Sequence, residues 1–156
     1  MVSPDTIREA APYLNYVLFD IKHMDSALHE AQTGLPNARI LDNFRILAEE
    51  FPELPILART PVIPGFNDTE EAIAAIARFL KPYERVEYEM LPYHRLGTQK
   101  YHFLDRPVLM GDVALDKERM NHAGTTATKN ATATNRKLSL NPMVRAWSAI
   151  ICEKKR

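Results

Sequence analysis

Three short apolar runs, each ending in or followed by a charged or titratable side chain, constrain this chain more than any other feature. They are residues 16–22 (YVLFDIK), 56–63 (ILARTPVI) and 86–91 (VEYEML). Each has strand length and a β-branched or aromatic content suited to a pleated, buried surface. Helix signals lie between them. Asp25 and Ser26 are N-cap residues for a short helix through about Gln32, and Gly34 fits a left-handed stop. Leu41, Phe44, Ala48 and Phe51 then recur at helical spacing over residues 38–51, and Pro52 and Pro55 prevent continuation. After the second run, Pro64-Gly65 makes a turn. Asn67 with Glu70, or Asp68 with Glu71, supplies the spacing of a capping box ahead of Ile73, Ile76, Ala77 and Leu80. The third run leads into residues 92–111, which have little periodicity.

Strand, helix, strand, helix, strand at this spacing predicts parallel β/α units, in which function gathers at strand C-terminal ends. The polar residues fall there. Asp20 and Lys22 end the first strand, Arg59 interrupts the second, and Tyr93 and His94 follow the third. A rim of salt bridges and a ligand site both satisfy this pattern.

Formal net charge is zero, which gives no global attraction for nucleic acid or an acidic membrane surface. The zero hides a division: residues 1–120 carry 13 basic and 19 acidic residues, while 121–156 carry 7 basic residues and one acid, Glu153. Residues 122–135 (HAGTTATKNATATN) are small and polar without apolar periodicity, the composition of a disordered tail. Beyond them Pro142 can open a short helix carrying Met143, Trp147, Ile150 and Ile151 on one side. The expected organisation is a β/α domain over 1–120 and a separate basic tail over 121–156. No apolar run reaches the roughly 18 residues of a membrane span, and the first residues lack a secretory pattern, so a cytoplasmic protein without membrane contact is expected.

Several tempting motifs carry nothing further. The five histidines show no paired-ligand spacing and are expected on the surface or in loops. The glycines are isolated, without a phosphate-binding pattern, and no Ser or Cys stands in a nucleophile elbow. Met24, Tyr88 and Met90 are expected in the core.

Three ordered segments resemble the activating enzymes of glycyl radical enzymes, of which pyruvate formate-lyase activating enzyme is the best-known type, within the radical S-adenosylmethionine superfamily. They are FDIK with HMD at 19–25, RTPVIPGFND at 59–68, and LPYHRLG with KY at 91–101. The resemblance spans about residues 7–120 and none of the tail. It implies the C-terminal half, strands four to six, of a (βα)6 partial barrel. In the intact family a [4Fe–4S] cluster cleaves S-adenosylmethionine, and the resulting 5′-deoxyadenosyl radical takes hydrogen from a glycine of the partner enzyme. By the same resemblance, Asp20 and Lys22 contact the cofactor, Arg59 lies near its carboxylate and His94 near its adenosyl group. The family also has a monovalent-cation site at the strand-end aspartate, which gives Asp20 an alternative role. The chemistry is compatible: arginine binds a carboxylate through two parallel hydrogen bonds, and lysine adds a second cation.

The departure from the family pattern is large. Its Cys-x3-Cys-x2-Cys cluster motif and its Gly-Gly-Glu segment are not in this sequence, whose one cysteine, Cys152, sits in the unmatched tail. One thiol cannot hold such a cluster. The expectation is therefore a fragment, inactive alone, that begins before the fourth strand and bears a half-site for S-adenosylmethionine. The compositional break after Met120 reads as a reading-frame change or fusion junction. Two other classes compete: a non-catalytic module binding the glycyl radical enzyme or the cofactor, and an aldolase-like half-barrel with Lys22 as Schiff-base former. The latter requires Lys22 in an apolar pocket, whereas Asp20 on the same strand face favours its charged form.

Overall fold

The computed structural model describes residues 2–93 and 98–105. They form helix α1 (Pro4–Ala10), a 3-10 turn (Ala11–Tyr13), strand β1 (Val17–Asp20), helices α2 (Ser26–Thr33) and α3 (Ala38–Glu50), strand β2 (Ile56–Val62), helix α4 (Glu70–Leu80), strand β3 (Glu87–Pro92) and helix α5 (Thr98–Phe103). The strands make one parallel sheet in the order β1-β2-β3, with Val17 opposite Ile56 and Leu57 opposite Glu87. This is the α/β architecture expected from the alternation of runs. His94 and the tail from 121 onward, with its possible helix after Pro142, lie outside the described residues.

The two faces of the sheet differ. Along β2, burial alternates strictly, with Ile56, Ala58, Thr60 and Val62 buried and Leu57, Arg59 and Pro61 partly exposed. The buried set joins Ile21, just past β1, and Tyr88 and Met90 of β3, and packs against the helices. Leu41, Phe44 and Leu47 of α3 and Ile73, Ile76 and Leu80 of α4 complete this core. Phe44 is its centre: fully buried, it meets the rings of Phe19, Phe79 and Tyr83 at 5.4, 5.3 and 5.2 Å.

Local signals account for most helix ends. Asp25 accepts from the Leu28 N–H at the start of α2, and Gly34 closes it at φ 81°, where a Cβ would be strained. Helix α4 departs from expectation. Neither Asn67 nor Asp68 caps it; Thr69 does, accepting from the Ala72 N–H. The reason is that both candidates are employed elsewhere. Asp68 accepts from the Gly65 N–H and closes the turn, while Asn67 is fully buried in contacts with the strand ends. Helices α1 and α5 were not signalled by apolar periodicity. The first is anchored by Ser3 as N-cap, Pro4 in its first turn and a two-bond ion pair from Arg8 to Glu50 of α3. Strand β1 is shorter than residues 16–22, because beyond Asp20 the carbonyls of Ile21 and Lys22 accept from side chains, Thr60 and Asn67, instead of strand N–H groups.

Candidate functional site

Parallel pairing places Asp20 directly beside Arg59, at the C-terminal end of β1. In-register residues on parallel neighbours share a face, here the face away from the helices. Arg59 donates from Nε and Nη2 to Oδ1 of Asp20, at 3.1 and 2.9 Å. Lys22 Nζ lies 3.7 Å from the other oxygen, Oδ2. The three side chains are about one-third exposed, so a solute can reach the cluster. Three of the four expected site residues are thus in one cluster, and the fourth, His94, lies outside the described residues.

The strand ends carrying these charges are tied together by buried polar groups. Thr60, fully buried, donates to the Ile21 carbonyl at 2.7 Å and accepts from the Tyr88 hydroxyl at 3.0 Å. Burial pushes the Tyr88 hydroxyl well above the ordinary tyrosine range, against the smaller opposing effect of its bond to Thr60. Asn67 donates to the carbonyls of Lys22 and Pro61 and accepts from the Ile63 N–H. One side chain therefore holds the segment after Asp20 to the end of β2, and with it the backbone of Lys22. Asn37 does the same for the next two residues, donating to the carbonyls of His23 and Met24 at 2.9 Å each.

The histidine expectation needs correction at one position. His23 lies in the loop after β1, as expected, though buried at 7% exposure, whereas His29 lies within α2 and is buried at 4%. Nδ1 of His23 accepts from the Asp25 N–H, and its ring lies 5.3 Å from Phe66. His29 bonds the Leu35 carbonyl and Thr33 through Nδ1. Both organise the loops around α2. Lys22 is ion-paired and partly exposed, the opposite of the apolar pocket an amine nucleophile requires.

Sequence reasoning missed two residues at this rim. Asn67 was masked by its resemblance to a helix cap. Glu89 was hidden in a strand read only for its core residues, although Tyr88 and Met90 on either side of it already imply that it faces the other way.

No family model matches the chain. It is 77% identical over 117 residues to isethionate sulfite-lyase activating enzyme from Desulfovibrio desulfuricans, covering 75% of this chain and 38% of that protein. It is 43% identical over 116 residues to (2S)-3-sulfopropanediol sulfolyase activating enzyme from Bilophila wadsworthia, covering 74% of this chain and again 38% of the relative. The fold is similar to a crystal structure of a domain of pyruvate-formate lyase-activating enzyme from Bacteroides vulgatus, with a TM-score of 0.64, 28% identity, and coverage of 81% of this chain and 69% of that one. The chain spans about two-fifths of the length of the curated relatives it matches. Shared sequence and shared fold together make this chain a relative of the glycyl-radical-enzyme activating enzymes, homologous to part of their length.

Proposed function

We propose that the chain carries half of the S-adenosylmethionine site of a glycyl-radical-enzyme activating enzyme, formed by Asp20, Lys22, Arg59 and His94 on a β/α domain over residues 1–120, with 121–156 as a tail apart from it. The observation that supports this best is the convergence of Arg59 and Lys22 on Asp20 at one strand edge. Two cations at a partly exposed rim suit a carboxylate, and Arg59 Nη1 is uncommitted among the described residues. Bound S-adenosylmethionine supplies the adenosyl radical of the family's reaction. In that site Arg59 and Lys22 orient the carboxylate end of the cofactor, and Asp20 holds both cations in place. The single cysteine does not fit a [4Fe–4S] cluster, so the role of these residues is binding and orientation.

The high identity to an isethionate sulfite-lyase activating enzyme favours isethionate sulfite-lyase as the partner glycyl radical enzyme over pyruvate formate-lyase. Among the described residues no helix is long and apolar enough to cross a membrane.

The test is a graft of this segment in place of the matching part of the Desulfovibrio relative. The graft should bind S-adenosylmethionine and raise a glycyl radical signal on isethionate sulfite-lyase. Within it, Arg59→Ala should weaken cofactor binding about tenfold or more, the loss of one charge-assisted pair of about 1.5–3 kcal/mol. Unchanged affinity in that variant overturns the assignment.

A further inference from the structure

Across the open face of the sheet, the register sets three ionisable residues in one row. Asp20 of β1 is the partner of Arg59 of β2, and Arg59 is in turn the partner of Glu89 of β3. Neighbouring strands are about 4.8 Å apart, so an arginine side chain on the central strand reaches a carboxylate on either side. It uses one. Nε and Nη2 both donate to the same oxygen of Asp20, and Lys22 takes the other. Glu89, by contrast, is only 8% exposed and has no hydrogen-bond or ion-pair partner among the described residues. It cannot be serving the core, since Tyr88 and Met90 on either side of it occupy the helix-packed face. Among the described residues the buried side-chain oxygen without a partner is Asn43 Oδ1, so the Glu89 carboxylate keeps access to water and is available to a cation that comes to it.

We infer that Glu89 is the positioning residue for Arg59, the second carboxylate that holds the guanidinium when Asp20 gives it up to a ligand. The inference rests on the proposed half-site and deepens it. In the structure Asp20 pairs with both cations of the rim, so a carboxylate arriving at Lys22 and Arg59 competes with Asp20 for the same donors. The guanidinium presents five N–H groups in a rigid fork. Pairing one edge with Glu89 leaves another edge facing the rim, already oriented for a two-bond contact. Asp20, Lys22, Arg59 and Glu89 sum to zero formal charge, so the rim offers an anion no excess positive field. Its attraction depends on where the arginine's donors point, and Glu89 sets that direction without touching the ligand.

The experiment follows the Arg59 Nε proton by NMR in the full chain, measuring its exchange with water. In Asp20→Asn the proton should remain protected, because Glu89 takes the guanidinium. In Asp20→Asn/Glu89→Gln its exchange should accelerate about tenfold, the equivalent of losing one charge-assisted bond. Glu89→Gln alone should leave it protected through Asp20, and the shorter acid in Asp20→Asn/Glu89→Asp should restore part of the protection. Equal exchange in Asp20→Asn and Asp20→Asn/Glu89→Gln, or loss of protection in Glu89→Gln alone, overturns the inference. None of these measurements needs the cofactor. A graft that fails to bind S-adenosylmethionine would sink the half-site reading while leaving the Arg59–Glu89 pairing decided by exchange.

Discussion

The two faces of the sheet are built from alternate residues of the same three strands, yet one is a core and the other a charged rim. On the helix-packed face Ala58, Thr60 and Val62 are at most 1% exposed, and the polar groups there, Thr60 and Tyr88, bond each other and a backbone carbonyl. On the other face Leu18 is 54% exposed, and Asp20, Arg59 and Glu89 stand in a row across the strands. Core packing and charge are thus assigned to opposite faces. A strand gives every second residue to each, so both can coexist at adjacent positions such as Arg59 and Thr60.

The sharpest way to break this division is to compare truncations on the two faces. Phe44→Ala removes a fully buried ring touching three others and should lower unfolding free energy by about 3–5 kcal/mol in denaturant titration, whereas Leu18→Ala on the open face should stay within about 0.5 kcal/mol. Comparable losses would mean that the open face is also a core. Asn67→Ala tests the tie between the strand ends that carry the charged rim. It leaves the Ile63 N–H and the carbonyls of Lys22 and Pro61 without their partner, and should cost about 3 kcal/mol, the upper end for an unsatisfied buried group. A smaller change is expected at Tyr88, where Tyr88→Phe removes one buried hydrogen bond worth about 1 kcal/mol at neutral pH. Its pH dependence is more telling. Because burial raises the native-state value, the unfolded chain loses this proton first, from about pH 10 upward. Over that window the unfolded state binds fewer protons, so stability falls with rising pH, by up to about 1.4 kcal/mol per pH unit from this group. Below pH 10 its contribution is intact. The phenylalanine variant should lose that alkaline slope, and a slope unchanged by the substitution would show that Tyr88 is not the group responsible.

Much of the fold was legible because its signals are local. Asp25 and Gly34 bound α2 through contacts within a few residues, and Ile73, Ile76, Ala77 and Leu80 reveal their shared face by spacing alone. The failures share a cause. Asn67 carries a credible capping pattern with Glu70, but its side chain bonds Lys22 across 45 positions of sequence. His29 looks like an ordinary polar residue, yet it is buried with its ring bonded to Thr33 at the end of its helix and to the Leu35 carbonyl beyond it. At the site, strand-end chemistry indicated Asp20, Lys22 and Arg59, and the resemblance in sequence gave those residues roles. It did not indicate Glu89, because an acid at a strand position is unremarkable until its neighbours are known.

The sequence by itself determined the strand–helix alternation from β1 to β3, the parallel α/β class, and which residues each strand sends to each face. These follow from hydrophobic period and turn chemistry, which act over a few residues. Only the tertiary structure decided which residues stand beside one another. The register that puts Asp20 against Arg59, and Arg59 against Glu89, is set by backbone hydrogen bonds between segments separated by 39 and 30 positions. Alternation fixes which residues share a face, the packing of α3 and α4 decides which face is buried, and the strand register chooses each residue's neighbour.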